Sequence, residues 1–277
     1  MREATVRKAN GEKQLFDVVK LIESLADAGA DASTAQEIAK HIESELRDGM
    51  STHDIYSHAF TLLRKHARPV AATYSIRRAV MELGPDGFPF ERFIAEIWKS
   101  RGFETLTDQV VRGKCVEHEM DVVAWNKDKL VMIEAKFHNE QGMRSDIKTA
   151  LYVKARFDDL KESTFAYGNI ERGLGEGWLV TNTKFTETAI RYGECQKLNM
   201  IGWNYPKKGN LQSLIEEAGF HPLTVLSTLS KAERFILLHN GLVLVKHVLD
   251  RRADLERLGI SREKIPRILE EAEEIFS

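Results

Sequence analysis

The sequence has few cysteines and no long apolar run. Its two cysteines, Cys115 and Cys195, lie far apart, which excludes a four-cysteine zinc site and a disulfide framework. No apolar stretch approaches the roughly 20 residues that a membrane-spanning helix needs. The first residues also lack the apolar core of a signal peptide. We therefore expect a reduced, cytoplasmic protein with no membrane partner.

The chain also lacks an excess of charge of either sign. Its 277 residues include 40 Lys and Arg and 42 Asp and Glu, which gives a formal net charge of -2. Because no segment forms a basic or acidic tail, a polyanion would have to bind a surface patch that folding creates. A content of 43% hydrophobic and 30% charged residues is typical of globular proteins and excludes a largely disordered chain.

Residues 1–88 predict a β-hairpin followed by four helices. The two short strands, at 4–8 and 13–16, flank an Asn10-Gly11 turn. The first three helices begin at residues that commonly cap helices, namely Asp17, Ser33, and Ser51 or Thr52. The sequence Gly84-Pro85-Asp86-Gly87 predicts the end of this domain.

Residues 89–205 have the pattern of a mixed α/β domain. An amphipathic helix is followed by three strands, a helix, a strand, a second helix and a final strand, which contains an αβββαβ core. The predicted bounds are, in order, 90–101, 106–111, 119–125, 130–137, 145–162, 178–181, 185–198 and 200–205. Residues 206–277 predict helices throughout. The sequence thus predicts a multidomain α/β protein with domains at 1–88, 89–205 and 206–277.

Charged side chains interrupt an otherwise apolar strand of the middle domain. Glu134 and Lys136 are two residues apart in VMIEAKF and project from the same face, and the hairpin brings Asp121 alongside. Carboxylates are oxygen ligands for Mg²⁺, and the carbonyl of Ala135 is a further candidate ligand. A lysine beside them would orient water or stabilise charge on a phosphate. The spacing is also compatible with a simple ion pair of Lys136 with Glu134 or Asp121.

These residues also follow a known order: a helix carrying Glu, then Asp, then E-x-K on the next strand. The positions are Glu91, Asp121, Glu134 and Lys136. This region, roughly residues 88–205, resembles the restriction-endonuclease-like PD-(D/E)xK superfamily, especially Mrr-type restriction enzymes and archaeal Holliday-junction resolvases. The resemblance implies hydrolysis of phosphodiesters with Mg²⁺ or Mn²⁺, with the three acids on the metal side and Lys136 as the catalytic lysine. Glu96, on the same helix, is the alternative to Glu91.

Further polar residues flank this constellation. Lys148 and Tyr152 are four residues apart on the helix at 145–162, so they share a face. The resemblance implies that this helix lies beside the active site and that both residues contact DNA; a solvated helix face is the alternative. His118 and His138 lie close in sequence to the constellation, and we expect neither to be catalytic.

Three strings near the start of the chain carry a second resemblance: T-V-R-K-A-N-G, F-D-V-V-K-L and S-T-H-D-I-Y. Over about residues 3–90 the chain resembles the ATP-cone, the regulatory nucleotide-binding domain of ribonucleotide reductases and of the repressor of their genes. The resemblance implies that ATP or dATP binds as a signal at Val6, Arg7, Lys8, Asp17, Lys20, Thr52 and Tyr56. Ala9 replaces one cation of the usual K-R-D-G. Because the chain has no G-x-x-x-x-G-K-[ST] loop, we do not expect a P-loop motor.

The helical C-terminal domain carries basic residues scattered between Lys207 and Arg257. It is interpreted either as a region that grips DNA through its phosphates or as a packing and dimerisation module. The whole sequence favours a metal-dependent DNA endonuclease regulated by ATP or dATP, acting as a homo-oligomer in restriction, phage defence or repair. The alternative is a nucleotide-sensing DNA-binding regulator that uses a nuclease fold without cleavage.

Overall fold

The chain forms two compact units. The computed structural model describes residues 4–8, 11–140 and 142–276, so Ala9 and Asn10, the first residue of the predicted turn, lie outside the described residues. The first unit combines Met1–Ala79 with His221–Ile236 and Leu244–Ser277, and the second combines Val80–Phe220 with Leu237–Val243. The first and last predicted segments thus contribute to one unit, and the division into three domains at these boundaries stays a prediction. No helix in the described part of the chain has the length and apolar character needed to cross a bilayer.

The first unit begins with a small sheet and four helices. β1 (Thr5–Arg7) lies between β2 (Lys13–Leu15), which is antiparallel to it, and β3 (Met50–Ser51), which is parallel to it. The helices are α1 (Val18–Asp27), α2 (Ala32–Glu45), α3 (Thr52–His66) and α4 (Arg68–Met81). The hairpin is therefore part of a three-stranded sheet. The sequence did not predict β3 because a two-residue strand shows no alternation of apolar and polar residues.

The helix starts follow the capping rules with one difference. As predicted, Asp17 and Ser51 accept backbone N–H groups in the first turns of α1 and α3. The second helix is capped by Asp31, whose carboxylate accepts the N–H of Thr34 at 2.9 Å, and not by Ser33. An aspartate two residues upstream thus starts this helix earlier than predicted.

The second unit surrounds a five-stranded sheet with the order β12-β10-β6-β5-β4. Its elements are α5 (Phe88–Ser100), β4 (Glu104–Arg112), β5 (Glu117–Trp125), β6 (Leu130–Lys136), β7 (Arg144–Ser145), α6 (Ile147–Leu160), β8 (Thr164–Tyr167), β9 (Ile170–Gly173), β10 (Glu176–Thr181), β11 (Lys184–Phe185), α7 (Glu187–Gln196), β12 (Asn199–Ile201) and α8 (Leu211–Glu217). β4, β5 and β6 are antiparallel, whereas β6, β10 and β12 are parallel. Two small ladders, β7 with β11 and β8 with β9, interrupt the predicted αβββαβ order.

The core of the second unit holds α6 against the sheet. Met132 of β6 and Leu179 of β10 are fully buried and belong to the same apolar cluster as Val153 and Phe157 of α6. A Cβ atom on Gly177 of β10 would lie 2.5 Å from the Phe157 ring, so only glycine allows this approach. This packing fixes the position of α6 beside the strands that carry the candidate site.

The C-terminal part of the first unit is built around a buried carboxylate. It contains a 3₁₀ turn (Leu223–Val225), most of α9 (Lys231–His239), α10 (Val245–Asp250), a second 3₁₀ turn (Arg252–Asp254) and α11 (Ile265–Phe276). Glu271 of α11 accepts the N–H groups of Ser227 and Thr228, each at 2.9 Å, and their hydroxyls, each at 2.6 Å. Burial alone would raise the pKa of Glu271, but these hydrogen bonds outweigh it and lower the pKa.

Replacing Glu271 tests this packing. We expect Glu271→Ala to lower the free energy of unfolding by about 2–4 kcal/mol, because it leaves two N–H groups and two hydroxyls without their acceptor. Glu273→Ala, on an exposed position of the same helix, is the matched control and should change stability by less than about 0.5 kcal/mol. Thermal and denaturant unfolding measure both, and equal effects would contradict the role assigned to Glu271.

Candidate metal and catalytic site

The ladder between β5 and β6 ends at the candidate site. Val122 pairs with Ile133, and beyond this pair Oδ2 of Asp121 accepts the backbone N–H of Ala135 at 2.6 Å. The side chain of Asp121 therefore takes the place of a ladder partner. This hydrogen bond holds the carboxylate of Asp121 next to Ala135, which lies between Glu134 and Lys136.

Glu134 is held from the side of α6. Its Oε2 accepts a hydrogen bond from Nη1 of Arg156 at 2.6 Å, and the guanidinium also donates to the backbone carbonyl of Glu119. Arg156 is buried, and it lies over the ring of Tyr152 at 5.4 Å. The sequence did not predict this contact, since it joins α6 to β6 across 22 residues.

Lys136 ends β6 and is exposed. In the described part of the chain it forms no ion pair with Glu134, Asp121 or another carboxylate. The structure therefore contradicts the ion-pair interpretation of the E-x-K spacing, because Glu134 pairs with Arg156 and not with Lys136. The ammonium of Lys136 remains available at the C-terminal end of β6, the central strand of the sheet.

Glu91 joins the group from the first turn of α5. Burial raises its pKa to about 8, and the negative charges of Asp121 and Asp108 add to this effect. A Cβ atom on Gly87 would lie 2.9 Å from Oε1 of Glu91, so glycine leaves room for the side chain. The alternative residue, Glu96, instead pairs with a lysine one turn later at 2.7 Å.

All three carboxyl groups hold their protons more tightly than usual. Burial raises the pKa of Asp121 to about 6, against the lowering effect of the Ala135 N–H. Burial and the charge of Asp121 raise the pKa of Glu134 to about 7, although Arg156 lowers it. One guanidinium does not neutralise these half-buried carboxyls, and carboxyls with such perturbed pKa values are characteristic of functional sites. That they bind Mg²⁺ or Mn²⁺ stays a prediction.

Asp108 of β4 is a further acid that sequence reasoning missed. It lies in a gap of the ladder between the pairs Thr107–Val122 and Gln109–Met120, and its φ is +55°. Its negative charge raises the pKa of both Glu91 and Asp121. The sequence did contain a signal for it, because Asp108 is a charged residue inside the strand predicted at 106–111, which precedes the strand that carries Asp121.

The two histidines of this region have local partners. Nε2 of His118 lies 2.8 Å from Oδ2 of Asp159 on α6. Nε2 of His138 lies 3.0 Å from the hydroxyl of Ser145, and burial and the charge of Lys136 lower the pKa of His138. That neither histidine is catalytic stays a prediction. The remaining predicted DNA contacts, Lys148 and Tyr152, are both exposed on α6.

The residues predicted to bind a nucleotide lie around β1 and the starts of two helices. Val6 is buried in the sheet, and Arg7 is exposed beside it. Lys8 pairs with Glu12 at 3.1 Å, and Lys20 pairs with Asp17 at 3.3 Å. Thr52 is the first residue of α3, and Tyr56 stacks on Tyr74 with the ring centroids 5.0 Å apart.

The raised pKa of Glu91 predicts a pH-dependent loss of stability. The unfolded chain releases this proton near the ordinary value of 4.5, whereas the folded chain keeps it up to about 8. The stability of the wild type therefore falls as the pH rises between these values. Glu91→Gln removes the titration, so with EDTA present it should unfold at a higher temperature than the wild type at pH 9.

This advantage of Glu91→Gln should shrink on acidification to pH 5. Glu104→Gln, in an exposed position of β4, serves as the control and should show no such dependence. Thermal unfolding at several pH values measures both variants. A stability difference that stays the same from pH 5 to pH 9 would show that Glu91 does not titrate as described.

Two of the solved structures found by comparison are distant. The restriction endonuclease MspJI in complex with a 27-mer oligonucleotide gives a TM-score of 0.32 at 13% identity, covering 53% of this chain and 35% of that one. Protein VC1899 from Vibrio cholerae gives a TM-score of 0.30 at 16% identity, covering 73% of this chain and 53% of that one. Scores of this size carry no argument about either unit.

Closer similarity comes from family models and one group of relatives. The ATP cone domain matches residues 4–82, and the family model "AF1548-like, C-terminal" matches residues 221–276. An uncharacterized protein of Archaeoglobus fulgidus is 35% identical over 184 residues, which span 66% of this chain and 99% of the relative. The crystal structure of AF1548, a protein of unknown function, has a TM-score of 0.59 at 33% identity and covers 69% of this chain and 98% of its own. The chain therefore belongs to the AF1548-like family.

Proposed function

We propose that this protein is a cytoplasmic DNA endonuclease that depends on Mg²⁺ or Mn²⁺ and is regulated by ATP or dATP. One observation carries the nuclease part of the proposal. The carboxyl groups of Glu91, Asp121 and Glu134 all have raised pKa values in a half-buried group, and Lys136 lies unpaired at the end of the same strand as Glu134. Groups with such perturbed pKa values are characteristic of functional sites.

The hydrogen bonds of the two strand carboxylates leave ligand atoms available. Asp121 uses Oδ2 for the N–H of Ala135, and Glu134 uses Oε2 for Arg156. Within the described residues, Oδ1 of Asp121 and Oε1 of Glu134 have no hydrogen bond, so each carboxylate offers one oxygen to a cation. Glu91 and the carbonyl of Ala135 complete the proposed ligand set. A divalent cation held there would offset the charge of a scissile phosphate and lower the pKa of a bound water.

The chain's own residues would do the remaining work. The ammonium of Lys136 donates to the attacking water or to a phosphate oxygen, and Arg156 keeps Glu134 oriented. Lys148 and Tyr152, exposed on α6, are proposed to contact the DNA backbone. Because cutting both strands normally needs two active sites, we propose a homodimer or larger assembly, with restriction, phage defence or repair as its role.

The ATP-cone supplies the proposed regulation. Lys8 and Lys20 now pair with Glu12 and Asp17, at exposed positions where an ion pair contributes little. Both lysines would exchange these partners for the phosphates of ATP or dATP at little cost. The N-terminus of α3, where Thr52 lies, adds backbone N–H groups suited to an anion. A nucleotide that binds two conformations of this domain with different affinity would bias the activity.

A plasmid cleavage assay tests the nuclease proposal. With Mg²⁺ or Mn²⁺, and with ATP, dATP or neither, the wild type should nick or linearise methylated or unmethylated plasmid. Glu134→Ala and Lys136→Ala should each lower the rate at least about 100-fold, because they remove charge stabilisation at the phosphate. Lys127→Ala, an exposed lysine in the β5–β6 turn, is the matched control and should retain full activity.

The outcomes of this assay are distinct. Unchanged cleavage by Glu134→Ala and Lys136→Ala would show that the site is assigned to the wrong residues. A wild type that binds DNA in a nucleotide-dependent way, yet cuts neither DNA nor RNA, would favour a DNA-binding regulator in place of a nuclease.

A nucleotide titration tests the regulatory part separately. Lys20→Ala should weaken ATP binding about tenfold or more, since a charge-assisted hydrogen bond to a phosphate is lost. Lys40→Ala, an exposed lysine on α2, is the control and should bind as the wild type does. Isothermal titration measures both, and equal affinities would exclude Lys20 from the site.

A further inference from the structure

A groove of about 960 Å³ lies in the first unit, where α3 and α4 of the ATP-cone meet the C-terminal helix α11. Five basic side chains line it: Arg64, Lys65, His66, Arg68 and Arg267. We call it the basic groove. None of these residues belongs to the candidate metal site or to the predicted nucleotide site.

The two acids of the basic groove already have donors. Glu271 accepts four hydrogen bonds from Ser227 and Thr228, and Glu274 pairs with Arg68 at 2.7 Å. Four permanently charged cations therefore face two carboxylates, which leaves an excess of positive charge. Among the described residues, Arg64, Lys65 and Arg267 form no ion pair.

Helix stability explains only part of this charge. Arg64, Lys65 and His66 lie in the last turn of α3, where cations are favourable to the helix dipole. Arg68 and Arg267 lie in the first turns of α4 and α11, where a cation is unfavourable. Arg267 has neither a favourable helix position nor an acidic partner, so its position in the groove suggests an anionic ligand.

The lining also indicates what the anion is. Among the described residues that line it there is no Phe, Tyr or Trp on which a base could stack, and Pro69 is the one apolar residue. A site of this kind contacts phosphates without reading bases. It also lies at the opposite end of α3 from Thr52, roughly 20 Å away along a 15-residue helix, and is thus separate from the predicted nucleotide contacts.

We propose that the basic groove binds the phosphate backbone of duplex DNA independently of base sequence. The proposal rests on the proposed function, which makes DNA the substrate, and adds a second contact region away from the catalytic residues. Arg64 and Arg267, from the ATP-cone and from α11, contact the phosphates together. DNA in this groove thus bridges the regulatory domain and the C-terminal helices.

The salt dependence of DNA binding tests the proposal. Binding of the full chain to a labelled duplex is measured from 50 to 200 mM salt, in a Glu134→Ala background without divalent cations. Removing two phosphate contacts with Arg64→Ala/Arg267→Ala should lower the slope of log K against log salt by about two units. At the lowest salt, affinity should fall about tenfold or more. Lys40→Ala/Arg47→Ala removes the same charge from exposed positions of the same unit and should leave the slope unchanged.

Each result has one meaning, provided that both double variants melt at the wild-type temperature. If Arg64→Ala/Arg267→Ala has the same salt slope and the same DNA affinity as the control double variant, the groove proposal is overturned, even if the wild type cleaves DNA. A loss of slope in a protein that never cleaves DNA supports the groove and overturns the nuclease. If Arg64→Ala/Arg267→Ala lowers the affinity for ATP and leaves DNA binding unchanged, the groove binds a nucleoside triphosphate and the DNA assignment is wrong.

Discussion

The candidate site depends on the bond between the carboxylate of Asp121 and the N–H of Ala135. The β5–β6 ladder stops at Val122 and Ile133, so the next backbone N–H would otherwise lack a partner. By accepting it, Asp121 ends the ladder and fixes its own position beside Glu134. Because α6 orients Glu134 through Arg156, the two strand carboxylates are positioned by the fold itself. Such preorganisation is what a catalytic metal site requires.

The chain buries carboxylates in two different ways. Glu271 receives four hydrogen bonds, and its pKa falls below the ordinary value. Glu91, Asp121 and Glu134 lie close together with too few donors, and their pKa values rise to about 8, 6 and 7. The first arrangement stabilises the fold. The second costs stability unless a proton or a cation is bound, which is the arrangement expected of a functional site.

Local sequence rules predicted the strand part of this arrangement and missed its tertiary part. The two-residue spacing of Glu134 and Lys136 and the hairpin that follows Asp121 are properties of adjacent residues, so the sequence shows them directly. The contact of Arg156 with Glu134 depends on how α6 packs on the sheet, for which the sequence has no local signal. The sequence did not predict short strands such as β3 and β7 for a related reason. Only their pairing with other strands defines them, and two residues show no periodicity.

The sequence also has no local signal that its first and last segments form one unit, because these segments are far apart in the chain. The hydroxyl of Thr224 donates to the carbonyl of Ala79 at 2.6 Å, and Arg68 pairs with Glu274 of α11. Helix α4 of the ATP-cone therefore contacts the C-terminal segment directly. Under the proposed function, a nucleotide that altered the packing of α4 would also alter these contacts, because packed side chains shift between discrete arrangements and do not deform continuously. Under the proposed function, α11 is the element through which a nucleotide signal would leave the ATP-cone.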